Sequence, residues 1–297
     1  MIIPPYIKPG DTIGIVSTAR KVTKEELLFS IKTLQNWGLK VVLGKNLFNK
    51  HHQFAGKEKE RIEDLQSMIN NKHVKAILCA RGGYGTVQII DKIDFSNLKK
   101  FPKWIIGYSD ITVLHSHLNK KGIASIHATM PINFLKNTDE SLISLYNALF
   151  GIKNRYNITN TNYNKTGQVE AELVGGNLSI LYSLLGSNSD LKIDNKILFL
   201  EDIDEYLYHV DRMVINLKRN NKLTKLKGLI VGKMKDMNDN IIPYGETAEE
   251  IILKYTKEYS FPICFHFPAG HLSDNRSLKF GVKTYLEINN KHVILQQ

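Results

Sequence analysis

A chain of 297 residues is long enough for one large or two ordinary domains, each with its own core, and 42% hydrophobic with 23% charged residues is ordinary globular composition. No segment reaches the roughly 18 consecutive apolar residues a membrane helix needs, and Met1 to Gly10, broken by Pro4, Pro5 and Pro9, lacks the apolar stretch of a signal peptide, so a cytoplasmic protein with no membrane partner is expected. The formal charge of +11 comes from lysines spread along the whole chain, densest at Lys99-Lys100, Lys120-Lys121 and 218–227, with no basic run interleaved with aromatics; a solvated surface and no nucleic-acid partner are expected, and the basic field would attract an anionic small substrate.

In chain order, Thr12 to Ser17 reads as a strand. Lys24 to Trp37 reads as a helix, with Leu27, Leu28, Ile31 and Leu34 at helical spacing and Gly38 as its stop. A short strand follows at Lys40 to Leu43, then a helix over Glu58 to Asn70, a strand over Val74 to Ala80 and a helix over Thr86 to Ile93. Trp104 to Ile106 is a strand and Ile111 to Lys120 a helix. This alternation implies an open, largely parallel sheet with helices on both faces. The stretch 153–168 turns polar, in the manner of a connector or surface hairpin. Beyond it come a strand at Ala171 to Val174, a helix at Leu178 to Leu185 that is apolar nearly all round, strands at Lys196 to Leu200 and Gly228 to Val231, a helix at Glu246 to Tyr255, and strands at Ile263 to Phe267 and Thr284 to Ile288. The expected fold class is α/β: an N-terminal domain over 1–150, a connector over 151–168 and a smaller mixed α/β C-terminal domain over 169–297. Cys79 and Cys264 both lie in apolar runs without a CxxC partner and read as buried thiols.

The residues able to do chemistry fall just past these strands. Trp104-Ile-Ile-Gly-Tyr-Ser109-Asp110 places a serine between a buried strand and a helix, where the helix N-terminus favours a developing negative charge. A helix cap is the competing role for Ser109. Arg81-Gly82-Gly83-Tyr84-Gly85 can turn its backbone N–H groups toward one spot as an oxyanion or carboxylate cradle, or can be a tight turn only. Glu201 stands at the carboxyl end of the apolar run Ile197 to Leu200, ahead of Asp202, Asp204 and Glu205. No histidine pair near these acids has ligand spacing, so neither a metal nor another cofactor is expected. Of the 10 histidines, His271 is the best base, because the Pro268-Ala-Gly270 turn fixes its approach, although His115, His117 and His127 also lie near the serine. A serine nucleophile needs a base to take its proton and an acid to hold that base.

These same segments resemble the LD-carboxypeptidase family: Lys8-Pro-Gly-Asp-Thr-Ile-Gly-Ile-Val16, Arg81-Gly-Gly-Tyr-Gly85, Gly107-Tyr-Ser-Asp110, Leu173-Val-Gly-Gly-Asn-Leu178, Phe199-Leu-Glu-Asp202 with Asp211-Arg-Met213, and Phe267-Pro-Ala-Gly-His271. The chain departs from the family pattern at Ser17-Thr-Ala-Arg20, where a proline or a pair of small residues is usual. The resemblance implies Ser109 as nucleophile, Glu201 as orienting acid and His271 as general base, with an oxyanion hole from the backbone near Gly82, Gly83 and Asp110, and a homodimer. It implies hydrolysis of the bond before a terminal D-amino acid in cytoplasmic murein tetrapeptides during cell-wall recycling. A sister group, the microcin C immunity peptidases, cleaves a peptidyl-nucleotide instead. A non-catalytic protein holding a carboxylated ligand in the same cleft is a third reading, but such a protein has no need of all three of Ser109, Glu201 and His271.

Overall fold

A computed structural model describes residues 1–297. In chain order the strands are β1 (Thr12–Val16), β2 (Lys40–Leu43), β3 (Val74–Cys79), β4 (Trp104–Gly107), β5 (Ser125–His127), β6 (Arg155–Thr159), β7 (Gly167–Asn177), β8 (Ile197–Ile203), β9 (Gly228–Lys235), β10 (Ile263–Cys264), β11 (Leu278–Phe280), β12 (Val282–Ile288) and β13 (His292–Gln296). They form two sheets, a six-stranded one in the order β11-β5-β4-β3-β1-β2 and a seven-stranded one in the order β10-β9-β8-β7-β12-β13-β6. The first is parallel apart from β11, which runs antiparallel to β5 with Leu278 opposite His127. The second is parallel from β10 to β7 and antiparallel from β7 to β6.

The parallel strands carry near-continuous apolar runs because helices cover both faces of the sheet. Successive residues point to opposite sides: Ile77, Cys79 and Ile105 enter one core with Leu65, Met68, Val113 and Leu114, while Ala76, Leu78, Trp104 and Ile106 enter the other with Leu27, Leu34, Leu145 and Leu149. The helix Lys24–Asn36 starts at a capping box in which Thr23 accepts from the Glu26 N–H and Glu26 from the Thr23 N–H. The expected helix at Thr86 to Ile93 is α-helical only over Thr86–Ile89 and continues as a 3₁₀ turn, Ile90–Lys92. Its β-branched residues Thr86, Val87, Ile89 and Ile90 lose side-chain freedom in a helix.

The helix Thr112–Lys120 joins the two sheets, and every residue from Thr112 to Asn119 is buried. Thr112 Oγ1 accepts from the Asn177 N–H at 2.9 Å, and Asn119 Nδ2 donates to Glu172 Oε1 at 3.1 Å. Gly176 has to be small, since a Cβ there would lie 2.4 Å from Thr112 Oγ1. The polar stretch 151–168 contains β6, an edge strand paired antiparallel with β13, and β11 returns from beyond residue 169 to the first sheet. Cys79 and Cys264 are free and buried, and burial pushes both thiols up to about 12. No helix is long and apolar enough to cross a membrane.

Candidate active site

β4 ends at Gly107, and after Tyr108 the chain turns at Ser109 into a 3₁₀ turn, Ser109–Ile111, that runs on into the helix Thr112–Lys120. A Cβ at Gly107 would meet Ile111 Cγ1 at 2.8 Å, so only glycine lets the turn fold back this closely. Ser109 itself has φ +62°, a left-handed conformation that costs a non-glycine residue of order 1–3 kcal/mol. Its side chain caps no N–H of the turn or the helix, so the structural role open to it in the sequence is not the one it plays. Directly against it lies Gly82, where an added Cβ would stand 3.0 Å from Ser109 Cβ and 3.2 Å from its Oγ. Gly83 has φ +111° and its N–H has no acceptor within the protein. The Asp110 N–H belongs to the first turn of a helix, where no preceding carbonyl is in position to accept it. The Asp110 side chain points elsewhere: buried, it accepts from the Thr86 N–H at 2.9 Å and ties the serine turn to the glycine loop. Burial raises its carboxyl above the usual range.

Glu201 and His271 meet from the other sheet. Glu201, in β8 opposite Asn177 of β7, is wholly buried, and its Oε2 lies 2.7 Å from His271 Nδ1. A carboxylate accepts, so Nδ1 carries the hydrogen and Nε2 is left as the basic nitrogen. Gly270, φ +110°, lets the chain pass over Glu201: a Cβ there would stand 2.7 Å from Glu201 Oε2. The Gly270 N–H is held by Asn275 Oδ1 at 2.9 Å. Burial alone would lower the His271 pKa, but the charge and the hydrogen bond of Glu201 outweigh it and raise the group above its ordinary value. The ring packs against Tyr108 at 4.9 Å between centroids, and the Tyr108 hydroxyl accepts from Asn133 Nδ2 at 2.6 Å. Beside Glu201, Asp202 accepts from Asn177 Nδ2, the Ser179 N–H and the Ile203 N–H at 2.8, 2.8 and 2.9 Å; burial, then the neighbouring Glu201 charge, pushes it up to about 7.

Ser109, His271, Gly82, Gly83 and Tyr108 open onto one cleft of about 930 Å³. Ser109 and His271 share that cleft without a hydrogen bond between them; the imidazole bonds to Glu201 alone. The other histidines near the serine are differently placed. His115 is buried, with Nδ1 on Ser125 Oγ and Nε2 on the Gly107 carbonyl, both at 2.8 Å. His117 Nδ1 bonds Ser189 Oγ at 2.9 Å, and His127 is buried among Tyr108, Phe199 and Phe280. None of the three lines the cleft. Of the acids after Glu201, Glu205 bonds His209 at 2.6 Å and Asp204 accepts from Asn238 at 2.8 Å, and no group of three or more His, Cys, Asp or Glu residues converges as metal ligands would. Three contributors carry no sequence signal of their own: Asn133, which holds the Tyr108 hydroxyl; Asn275, which holds the turn before His271; and Arg20, whose side chain lies over Gly83.

Family models of the LD-carboxypeptidase N-terminal and C-terminal domains match residues 13–128 and 170–286. A probable murein peptide carboxypeptidase of Bacillus subtilis is 34% identical, across 99% of this chain and 94% of its own. The murein tetrapeptide carboxypeptidase of Pseudomonas aeruginosa is 27% identical, across 93% of each chain. The crystal structure of a muramoyltetrapeptide carboxypeptidase from Oxalobacter formigenes superposes with a TM-score of 0.88 at 26% identity, covering 96% of this chain and 98% of the other. The two sheets with their flanking helices are thus the two-domain fold of those enzymes, and this chain belongs to the LD-carboxypeptidase family of serine-type peptidases.

Proposed function

We propose that the protein removes the terminal D-amino acid from murein tetrapeptides in the cytoplasm, as a step of murein recycling, with Ser109 as nucleophile, His271 as general base and Glu201 as the acid that orients it. The observation that carries the reading is the buried Glu201–His271 bond, which engages Nδ1 and leaves Nε2 free on a ring that lines the same cleft as Ser109. Ser109 Oγ attacks the scissile carbonyl carbon as His271 Nε2 takes its proton. The carbonyl oxygen becomes an oxyanion, held by the Gly83 and Asp110 N–H groups beside Gly82. Collapse breaks the C–N bond, and His271 returns the proton to the departing amine. Water, deprotonated by the same nitrogen, then attacks the acyl-Ser109 ester; the ester C–O bond breaks, His271 gives the proton to Ser109 Oγ, and the tripeptide carboxylate leaves. The chemistry calls for no metal and no cofactor. A homodimer in solution completes the proposal, and sedimentation equilibrium checks it.

The decisive experiment incubates the purified protein with a murein tetrapeptide, and in parallel with a peptidyl-nucleotide, and measures released D-alanine and released nucleotide. D-Alanine from the tetrapeptide is expected. Release of nucleotide alone would move the substrate assignment to the immunity-type peptidases and leave the triad standing. Activity should survive EDTA; a loss restored by added zinc would remove the serine mechanism.

A further inference from the structure

A carboxypeptidase has to recognise the free carboxylate that ends its substrate, and that group lies close to the reacting carbonyl. One residue of chain spans about 3.8 Å, so the terminal carboxylate of the departing amino acid sits within one residue of the oxyanion donors. A cation there would bind it. Three line the cleft: Arg20, Arg81 and Lys136. Lys136 belongs to the 3₁₀ turn Pro131–Lys136, on another element. Arg81 Nη1 donates to the Lys21 carbonyl at 3.4 Å and is directed toward that segment. Arg20 is different. Its backbone is fixed on both sides, the N–H by the Gly82 carbonyl at 3.4 Å and the carbonyl by Ser17 Oγ at 2.7 Å. Its stem runs directly over Gly83, where a Cβ would come within 2.1 Å of Arg20 Cδ. Its guanidinium has no carboxylate partner, although Glu25 and Glu26 line the same cleft; Arg276 is the one arginine engaged in an ion pair.

We propose that Arg20 is the receptor for the substrate's terminal carboxylate, binding it through the paired N–H donors of its guanidinium while the adjacent Gly83 N–H holds the oxyanion. The inference rests on the carboxypeptidase reading and adds a specificity-determining residue to it. The glycine at 83 then has two functions. It frees an N–H for the oxyanion, and it leaves room for the arginine stem to lie across it.

The test compares a murein tetrapeptide with its C-terminal amide, which is the same length but lacks the terminal charge. The wild-type protein should prefer the free acid. Arg20→Ala should raise KM for the free acid by about 10- to 100-fold, the range expected for a lost charge-assisted hydrogen bond, leave kcat within a few-fold, and bring the acid-to-amide ratio of kcat/KM close to one. Arg20→Lys should recover part of that ratio, because it restores the charge without the fork. Should Arg20→Ala fail to fold, Arg20→Gln, which keeps a stem over Gly83, gives the same readout. Retention of the full acid-to-amide ratio in Arg20→Ala overturns the assignment while the carboxypeptidase reading stands, and loss of the ratio in Arg81→Ala instead transfers the role to Arg81. If the wild-type protein released a D-amino acid from neither peptide, the functional reading itself would be overturned, and the role of Arg20 with it.

Discussion

The serine wall of the cleft is made from short, local turns, the glycine loop after β3 and the elbow after β4, whereas the histidine wall joins β8 to the turn after β10 across 70 residues of sequence. The two also differ in how they are held. Ser109 sits in a left-handed conformation at the cleft surface and makes no capping bond, while Glu201 is wholly buried and already bonded to His271. The contrast separates two kinds of dependence. Ser109 rests on backbone geometry that survives loss of its side chain; the Glu201–His271 pair is part of the packed interior, so its loss should be felt in stability as well as in rate.

The largest expected effect is therefore also the cleanest. Ser109→Ala should lower kcat by several orders of magnitude, roughly 10⁴ to 10⁶, with an unchanged thermal midpoint. Ser109→Gly should be equally inactive and more stable by about 1 kcal/mol, since glycine accepts φ +62° without strain. Near-normal turnover by either variant would refute the nucleophile, and calorimetry on the pair tests the strain separately.

Glu201→Gln should cost about 10⁴ in kcat, because an amide no longer selects the Nδ1–H tautomer nor stabilises the imidazolium. The pH profile sharpens the point. His271 acts as a base only when neutral, and Glu201 raises its pKa above the ordinary value of 6.5. The acid limb of kcat/KM should then lie above pH 6.5, with activity present at higher pH and lost as the pH falls through it. In Glu201→Gln the residual activity should show that limb displaced to lower pH. A limb that stays in place would mean that Glu201 does not set the charge state of the base.

Gly270→Ala probes the same wall through the backbone. The new Cβ would collide with Glu201 Oε2 at 2.7 Å, and alanine is strained at φ +110°. A displaced carboxylate should cost about 10- to 100-fold in kcat, together with about 1–3 kcal/mol of stability. Urea unfolding measured alongside kinetics should show both losses. A loss of stability without a loss of rate would show that the acid–base pair tolerates displacement.

How much of this was legible in the sequence follows from the same division. In the first sheet β5, three residues long, and the helix Asp139–Phe150 go unpredicted, but β1 to β4 and the longer helices between them are legible, because their apolar periodicity is strong and Gly38, Gly82 and Gly107 mark turns. The serine elbow and glycine loop are legible for that reason. That Glu201 faces His271 is not a local property; its place at the end of an apolar run sets it apart from Asp202, Asp204 and Glu205, but the pairing depends on where β8 ends and on the turn set by Gly270 and Asn275. The strand β6 hides in polar composition because it is an edge strand whose outward residues, Arg155, Asn157 and Thr159, are exposed while Tyr156 is buried. The strand β11 has only three residues and pairs with β5, which lies far earlier in the chain, so no periodicity could announce it. The helix Leu207–Arg219 does carry a signal, with Val210, Met213, Val214 and Leu217 at helical spacing, but it follows directly on an acidic cluster that reads as a loop. Arg20, part of the segment that departs from the family pattern, gains its meaning only from the glycine it covers.

The smallest expected effect tests whether the serine wall helps to position the base. Tyr108 precedes Ser109, yet its ring lies 4.9 Å from that of His271, and Asn133 Nδ2 holds its hydroxyl at 2.6 Å. Tyr108 is therefore the side chain through which the two walls touch near the chemistry. Asn133→Leu removes the donor to a buried hydroxyl and leaves the ring in place. A neutral hydrogen bond of this kind contributes about 0.5–1.5 kcal/mol, so kcat should fall by about 2- to 10-fold with KM little changed. Tyr108→Phe removes the same bond from the other side and keeps the ring against His271; its loss should be of similar size, and the double variant should cost little more than either alone, because both break one interaction. Additive losses in the double variant would mean that Asn133 acts on substrate directly from its place in the cleft lining, and a loss in Asn133→Leu as large as that in Gly270→Ala would erase the distinction between a locally built nucleophile and a packed acid–base pair.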